Sequence, residues 1–468
     1  MLFNSFEFIF IFLPITLLCY FLLGKLPQYI YAKIWLITTS LFFYGYWNVS
    51  YLPIIIISIL VNYVLATAVS HNKISSTIGL LYGISLNVSL LAYYKYANFI
   101  FDTYTTFFNT SYSLNVIELP LAISFFTFQQ IAYQVDIRRG VIKNNNFIDY
   151  CLFVLFFPQL IAGPIVHHTN MLPQFKNPAS RLFKLENVTA GISLFTIGLF
   201  KKIVVADTFG AWASSGYAGS ATASFLEAWL AILSYTLQIY FDFSGYSDMA
   251  IGAALCFNIM LPINFFSPYK ALSIQDFWRR WHITLSTWLK DYLYIPLGGN
   301  RISSTRTYLN LFVTFLLGGL WHGAGWTFIF WGFLHGSALC VHRIWTRLTL
   351  YKLPKSVAWV ITFLFIALAW VTFRAPTITV AFDIYSAAFA SGSIGKWGHV
   401  RYEILTCIVG VLFVCITPNS IQMVMDSTTQ KPKFTYGLAI AGSFAAISTC
   451  LLTLWMENRV SEFLYFQF

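Results

Sequence analysis

Of the 468 residues, 58% are hydrophobic and only 10% are charged, with a mean hydropathy of +0.69; such a chain cannot present an ordinary solvated surface and must dissolve in lipid. Its formal charge of +11 would suggest nucleic acid for a soluble protein. Here the Lys and Arg residues fall in short loops between apolar runs, as the positive-inside bias requires, so the expected partner is the lipid bilayer and no nucleic acid.

About 20 apolar residues make one crossing. Candidate spans lie near 6–23, 30–47, 50–69, 77–94, 117–135, 147–166, 187–204, 223–241, 246–262, 307–322, 325–345, 356–373, 402–417 and 435–455. Several carry Gly, Pro or ionisable residues and read as re-entrant or broken, which leaves about 11–13 spans in an all-α polytopic membrane protein. Phe6 to Leu23 lacks a basic leader and a small-residue cleavage site, so it is expected to be the first span and not a removable signal. The whole chain, 1–468, reads as one membrane domain.

The longest stretch without a convincing span is 263–306. It sets Lys270, Arg279, Arg280, Lys290, Arg301 and Arg306 against Asp276 and Asp291, which places it on the cytoplasmic side. Its Trp278, Trp281, Trp288, Tyr292 and Tyr294 suit an amphipathic or re-entrant segment at the interface. The basic loop Arg343 to Lys355 is expected on the same side, with the pair of spans 307–322 and 325–345 between them. Residues 377–392 are expected to form an interfacial helix. The seven cysteines lie in or beside apolar segments without metal-ligand spacing, so they read as small buried hydrophobes and no metal is expected.

Ionisable groups at membrane depth are expensive unless paired or wet, so each is a functional candidate. In Gly318-Gly319-Leu320-Trp321-His322-Gly323-Ala324-Gly325-Trp326 a histidine sits between glycines at the junction of two apolar runs. Its imidazole suits general-base work on a hydroxyl or thiol, although a core histidine bonded to a carbonyl fits the same local context. In Asp276-Phe277-Trp278-Arg279-Arg280-Trp281-His282 the spacing gives an Asp276/Arg280 face and a Trp278/His282 face on a helix. That cluster is either a surface helix anchored by tryptophans or the cationic mouth of a site for an anionic acyl donor. Asp242 and Asp248, six residues apart, do not share a helical face; they point to structural ion pairs or a helix broken at Ser244-Gly245. The prolines and glycine of Phe157-Pro158-Gln159-Leu160-Ile161-Ala162-Gly163-Pro164 predict a re-entrant turn followed by an interfacial pair, His167 and His168. His335, thirteen positions beyond His322, would fall on a different face of a continuous helix and, like His71, His342 and His399, is unremarkable.

Taken together, these residues resemble the membrane-bound O-acyltransferases, in particular the bacterial branch that contains the membrane subunit of alginate O-acetylation. The resemblance runs from Pro120-Leu121-Ala122-Ile123-Ser124-Phe125-Phe126-Thr127-Phe128-Gln129-Gln130, through Trp278 to Arg301 and Leu320-Trp321-His322-Gly323, to Phe463-Leu464-Tyr465-Phe466-Gln467-Phe468. It implies a ring of tilted helices around a central tunnel. His322 takes the position of the family's catalytic histidine and His282 that of the second polar site residue. Arg279, Arg280, Lys290, Trp281, Trp321 and Asp276 are then expected around the donor. The resemblance further implies acetyl-CoA or an acyl carrier as donor and a separate periplasmic SGNH-type acetyltransferase as partner. The protein would sit in the bacterial inner membrane and serve O-acetylation of an exopolysaccharide such as alginate or of a cell-wall polymer. Two alternatives stay open: D-alanyl transfer to teichoic acid, and a proton-coupled transporter or flippase, whose expected repeats are missing.

Overall fold

The computed structural model describes residues 1–110, 116–142, 146–349, 351–389, 393–426, 433, 436–457 and 461–464. Every extended regular element among them is helical. Among the described residues six helices are long and apolar enough to cross a bilayer: Glu7–Gly24, Val49–Ser70, Ser76–Phe108, Leu185–Ala218, Lys355–Arg374 and Trp397–Ile416. Their exposed faces carry residues such as Ile15, Leu18, Val64, Leu81, Ile361 and Val409, which only lipid can solvate. The chain is therefore an all-α polytopic membrane protein.

The helices fall into two compact units. The first comprises Met1–Phe195, Met249–Pro262 and Phe434–Ser443. Its helix Ile123–Arg138 buries Gln130, Gln134 and Asp136 among others, a polar load that water would take up if the helix faced solvent. Partners are supplied from neighbouring helices: Gln134 Nε2 donates to Asn62 O at 2.8 Å, Asn87 Nδ2 to Asn62 Oδ1 at 2.8 Å, and the Tyr150 hydroxyl to Gln130. The expected interruption by prolines and glycine is present, since helix Phe147–Leu155 stops and one turn, Phe157–Leu160, leads into irregular backbone. Residues 151–166 are all buried, as non-helical backbone at membrane depth must be. His168 differs from its expected interfacial place: it is buried, with Nδ1 3.4 Å from Asp136 Oδ2.

The second unit comprises Thr196–Asp248, Ile263–Lys433 and Phe444–Phe468. The two spans expected at 223–241 and 246–262 are instead one continuous helix, Phe225–Cys256. Gly245 does not break it. A Cβ there would lie 2.8 Å from Gly198 O, so the glycine serves close packing of two backbones. Asp242 and Asp248 are held by lysines, Lys202 Nζ to Asp242 Oδ1 at 2.6 Å and Lys201 Nζ to Asp248 Oδ2 at 2.7 Å. The ion-pair reading of these carboxylates holds and the broken-helix reading does not.

Segment 263–303 is a chain of short elements, Pro268–Lys270, Ile274–Trp278, Ile283–Leu289 and Lys290–Tyr294. Its Phe265, Tyr269, Phe277, Trp278 and Trp281 enter an aromatic core with Trp331, Trp370 and Phe373. Residues 377–392 give a helix at Ile378–Phe389; positions 390–392, like 465–468 of the C-terminal motif, lie outside the described residues.

Candidate active site

The site is built on a helical hairpin, Ser304–His322 and Trp326–Leu348. Small residues let its two backbones touch: a Cβ on Gly319 would lie 2.3 Å from Phe328 O, and one on Gly332 2.5 Å from Phe315 O. That close approach fixes the register of everything the hairpin carries. At its outer end Gly298 and Gly299 adopt φ of +108° and +54°, conformations that favour glycine. The turn so formed presents Gly299 O to Asn310 Nδ2 at 3.1 Å. Along the first helix Thr314, Gly318 and His322 recur at four-residue spacing and share one face.

That face lines a cavity of about 590 Å³. His322, 4% exposed, stands in its wall with Trp278, Phe315, Gly318 and Trp331. Its ring lies 5.2 Å from Trp331 and 5.3 Å from Phe373, centroid to centroid, both edge-on. Arg343 and Arg347 make the wall at the other end of the second helix, and Arg279 and Lys290 line it too. Trp331 and Arg347 both line the cavity from one helix, and at the α-helical rise they are about 24 Å apart. The cavity is thus deep, apolar and aromatic at its foot and cationic at its mouth, a shape that admits a long, flexible chain with an anionic end.

His282 is wholly buried and sits at φ +42°, ψ +52°, a left-handed conformation uncommon for a non-glycine residue and concentrated at functional sites. Asn264 holds it there. Asn264 Oδ1 accepts the Thr284 backbone N–H at 3.3 Å and the Thr284 hydroxyl at 2.9 Å, so that atom is the oxygen and the His282 Nδ1 beside it, at 3.1 Å, must donate. The lone pair is then on Nε2. Burial lowers the pKa of His282 to about 3, so the ring is neutral at ordinary pH. Its centroid lies 6.3 Å from that of His322 and 4.8 Å from that of Phe243.

Of the residues expected around the donor, Arg279 and Lys290 line the cavity. Arg280 instead pairs with Asp276 at 2.9 Å, while Trp281 and Trp321 are packed at 1% and 5% exposure outside its wall. Sequence reasoning missed Arg343 and Arg347, used there only to fix sidedness, although their four-residue spacing on one helix was a signal. It also missed Trp331 and the role of His335. His335 is fully buried, and its Nδ1 accepts the Trp278 indole N–H at 3.2 Å. His335 and Trp278 thus join the hairpin to segment 263–303. No group of three or more potential metal ligands occurs among the described residues.

A buried imidazole lines this cavity in a chain of lipid-facing helices, and comparison with known proteins gives the chain a class. The chain belongs to the membrane-bound O-acyltransferase family, which matches residues 74–380, and is an acyltransferase. It is 49% identical over 417 residues to a peptidoglycan O-acetyltransferase of Helicobacter pylori, covering 82% of this chain and 79% of the relative. It is 41% identical over 405 residues to a probable alginate O-acetylase, AlgI, of Pseudomonas aeruginosa, covering 85% and 76%. Similarity to a teichoic acid D-alanyltransferase of Streptococcus thermophilus is weaker, 28% over 238 residues, covering 48% and 57%. Family membership removes the transporter alternative.

Proposed function

We propose that this protein is a membrane O-acetyltransferase subunit that takes an acetyl group from cytoplasmic acetyl-CoA and passes it across the inner membrane for O-acetylation of an extracytoplasmic polysaccharide or cell-wall polymer. The observation that carries the reading is a cavity lined by four cations, with Arg343 and Arg347 at its mouth, and by the imidazole of His322 at its foot. The names of the relatives that cover most of the chain, which concern peptidoglycan and alginate, support acetate as the group moved.

In this mechanism the phosphates of the donor rest on Arg279, Lys290, Arg343 and Arg347, and the thioester arm runs down the apolar wall to His322. The imidazole takes the proton of the accepting hydroxyl as its oxygen attacks the thioester carbonyl carbon. A C–O bond forms, the C–S bond breaks, and the departing thiolate receives the proton from the imidazolium. The His282 ring, neutral and with its lone pair on Nε2, keeps a second positive charge from the foot of the cavity. A hydroxyl of the polymer or of a separate periplasmic SGNH-type acetyltransferase is the acceptor.

The test is to reconstitute the purified protein in vesicles and supply labelled acetyl-CoA and carrier-linked D-alanine in parallel, with and without that partner. Label is expected to move from acetyl-CoA alone. Transfer only from the D-alanyl carrier would replace acetate by D-alanine, and transfer from neither would remove the reading.

A further inference from the structure

We infer that Trp331 is a further catalytic residue, its indole N–H stabilising the negative charge that gathers on the thioester oxygen during transfer; the inference rests on the His322 reading above.

Two tryptophans line the cavity, Trp278 and Trp331. They differ in how their single donor is used. The Trp278 N–H is committed to His335 Nδ1 at 3.2 Å. Trp331 is 1% exposed, and its Nε1 is buried with no acceptor among the described residues. Among the residues that form the cavity wall, Trp331 alone carries a buried polar side-chain atom in that condition. A donor buried without an acceptor opposes folding, and phenylalanine would fill the same aromatic pocket without that opposition. The indole is therefore accounted for by a ligand that brings the acceptor.

The surroundings hold this donor still. The Trp331 ring is packed at 4.6 Å against His335, 5.2 Å against Phe373 and 5.9 Å, stacked, against Trp370. Its backbone lies beside Gly332, where the two hairpin helices touch. It meets the His322 ring edge-on at 5.2 Å, so the proposed base and the indole that carries the spare donor line the foot of one cavity. Acyl transfer needs both. As the hydroxyl oxygen of the acceptor bonds to the carbonyl carbon, the carbonyl π electrons move onto oxygen, and a fixed N–H in a dry site stabilises that oxyanion more than it stabilises the ground-state carbonyl. When the oxyanion collapses, the C=O bond re-forms, the C–S bond breaks, and the hydroxyl proton held by His322 passes to the leaving sulfur.

The experiment measures thiol release from acetyl-CoA by the full chain in vesicles supplied with the accepting partner, with W331F, W331Y and H322A beside the wild type. W331F keeps the ring and loses the donor. It is expected to lower kcat by about 10²-fold and leave KM for acetyl-CoA within about twofold. W331Y, which returns an O–H donor, is expected to recover part of that loss, and it carries the test if W331F does not fold. Wild-type kcat in W331F, or a rise in KM with kcat unchanged, overturns the role of Trp331 while an inactive H322A preserves that of His322. An active H322A, or no thiol release from the wild type, overturns the histidine reading and this inference with it.

Discussion

The two ends of the cavity are built in opposite ways. At the mouth, Arg347 is exposed and Arg343 half-buried, and the hydrogen bonds there join surface side chains, such as Arg347 Nη1 to Ser304 Oγ at 2.9 Å. At the foot, His322 and Trp331 are buried within an aromatic cluster whose backbone is clamped by glycines. Long-range attraction of an anionic chain tolerates imprecise geometry, because the charges add and no single one must be placed to within a fraction of an ångström. Proton transfer tolerates none. Redundancy is thus expected at one end and singularity at the other, and the two ends should answer mutation differently.

The largest effect is expected at the foot. H322A should lower acyl transfer by about 10³-fold or more while the protein stays folded in the membrane; acetyl release by the purified variant near the wild-type rate would remove the contrast between the ends. The hairpin that carries this foot should fail next. In G332L the new side chain would collide with Phe315 O, which already lies 2.5 Å from the position of a Cβ. A loss of about 1–3 kcal/mol or more is expected, read as a lower thermal midpoint in detergent, and a midpoint equal to the wild type would mean that the helices do not touch there.

How much of this could be read from residues alone depended on what kind of force placed them. Lipid-facing helices write themselves into the chain as apolar runs, so Val49–Ser70 and Lys355–Arg374 appear close to their expected bounds. His322 was legible because glycines around an ionisable residue at membrane depth mark a backbone that makes room beside a costly polar group. Gly245 was misread on the same cue: a glycine marks either a break or a close approach, and only the neighbouring backbone of Gly198 decides which. His335 was invisible, since its partner Trp278 lies 57 residues away and no local period connects them. Trp331 was hidden among many tryptophans, because an indole shows its unused donor only when its surroundings are known.

The mouth should respond by degrees. Replacing Arg343 and Arg347 together by alanine is expected to raise KM for acetyl-CoA by about tenfold and leave kcat within twofold, with the difference shrinking at high salt as exposed charges are screened. A fall in kcat instead would place these arginines in the chemistry. Acidification tests His282 by a smaller signal. Its pKa is lowered to about 3 by burial, against about 6.5 in an unfolded chain. Between those values the unfolded state binds a proton that the folded state refuses, so this residue's contribution to stability is complete above about pH 6.5 and is withdrawn as pH falls toward 3. H282N should therefore lose less thermal stability than the wild type between pH 7 and pH 5, and equal slopes would show that the imidazole is not buried in its neutral form.

The smallest effect is expected from Asp276 and Arg280, which the sequence placed beside the donor and the structure places outside the cavity wall. The pair is 2.9 Å apart, both side chains are about one-third exposed, and the two residues lie one helical turn apart, so water and salt compete with it on every side. Pairs of this kind contribute about 0–1 kcal/mol. Asp276 also accepts the Leu272 backbone N–H at 3.3 Å, and asparagine in its place keeps an acceptor there. D276N should accordingly shift the thermal midpoint only slightly and leave KM for acetyl-CoA within twofold. A KM increase equal to that of the Arg343 and Arg347 double variant would mean that the cationic mouth extends across this face, and the distinction between a pairing carboxylate and a docking cation, on which the division of the cavity into two ends depends, would have to be redrawn.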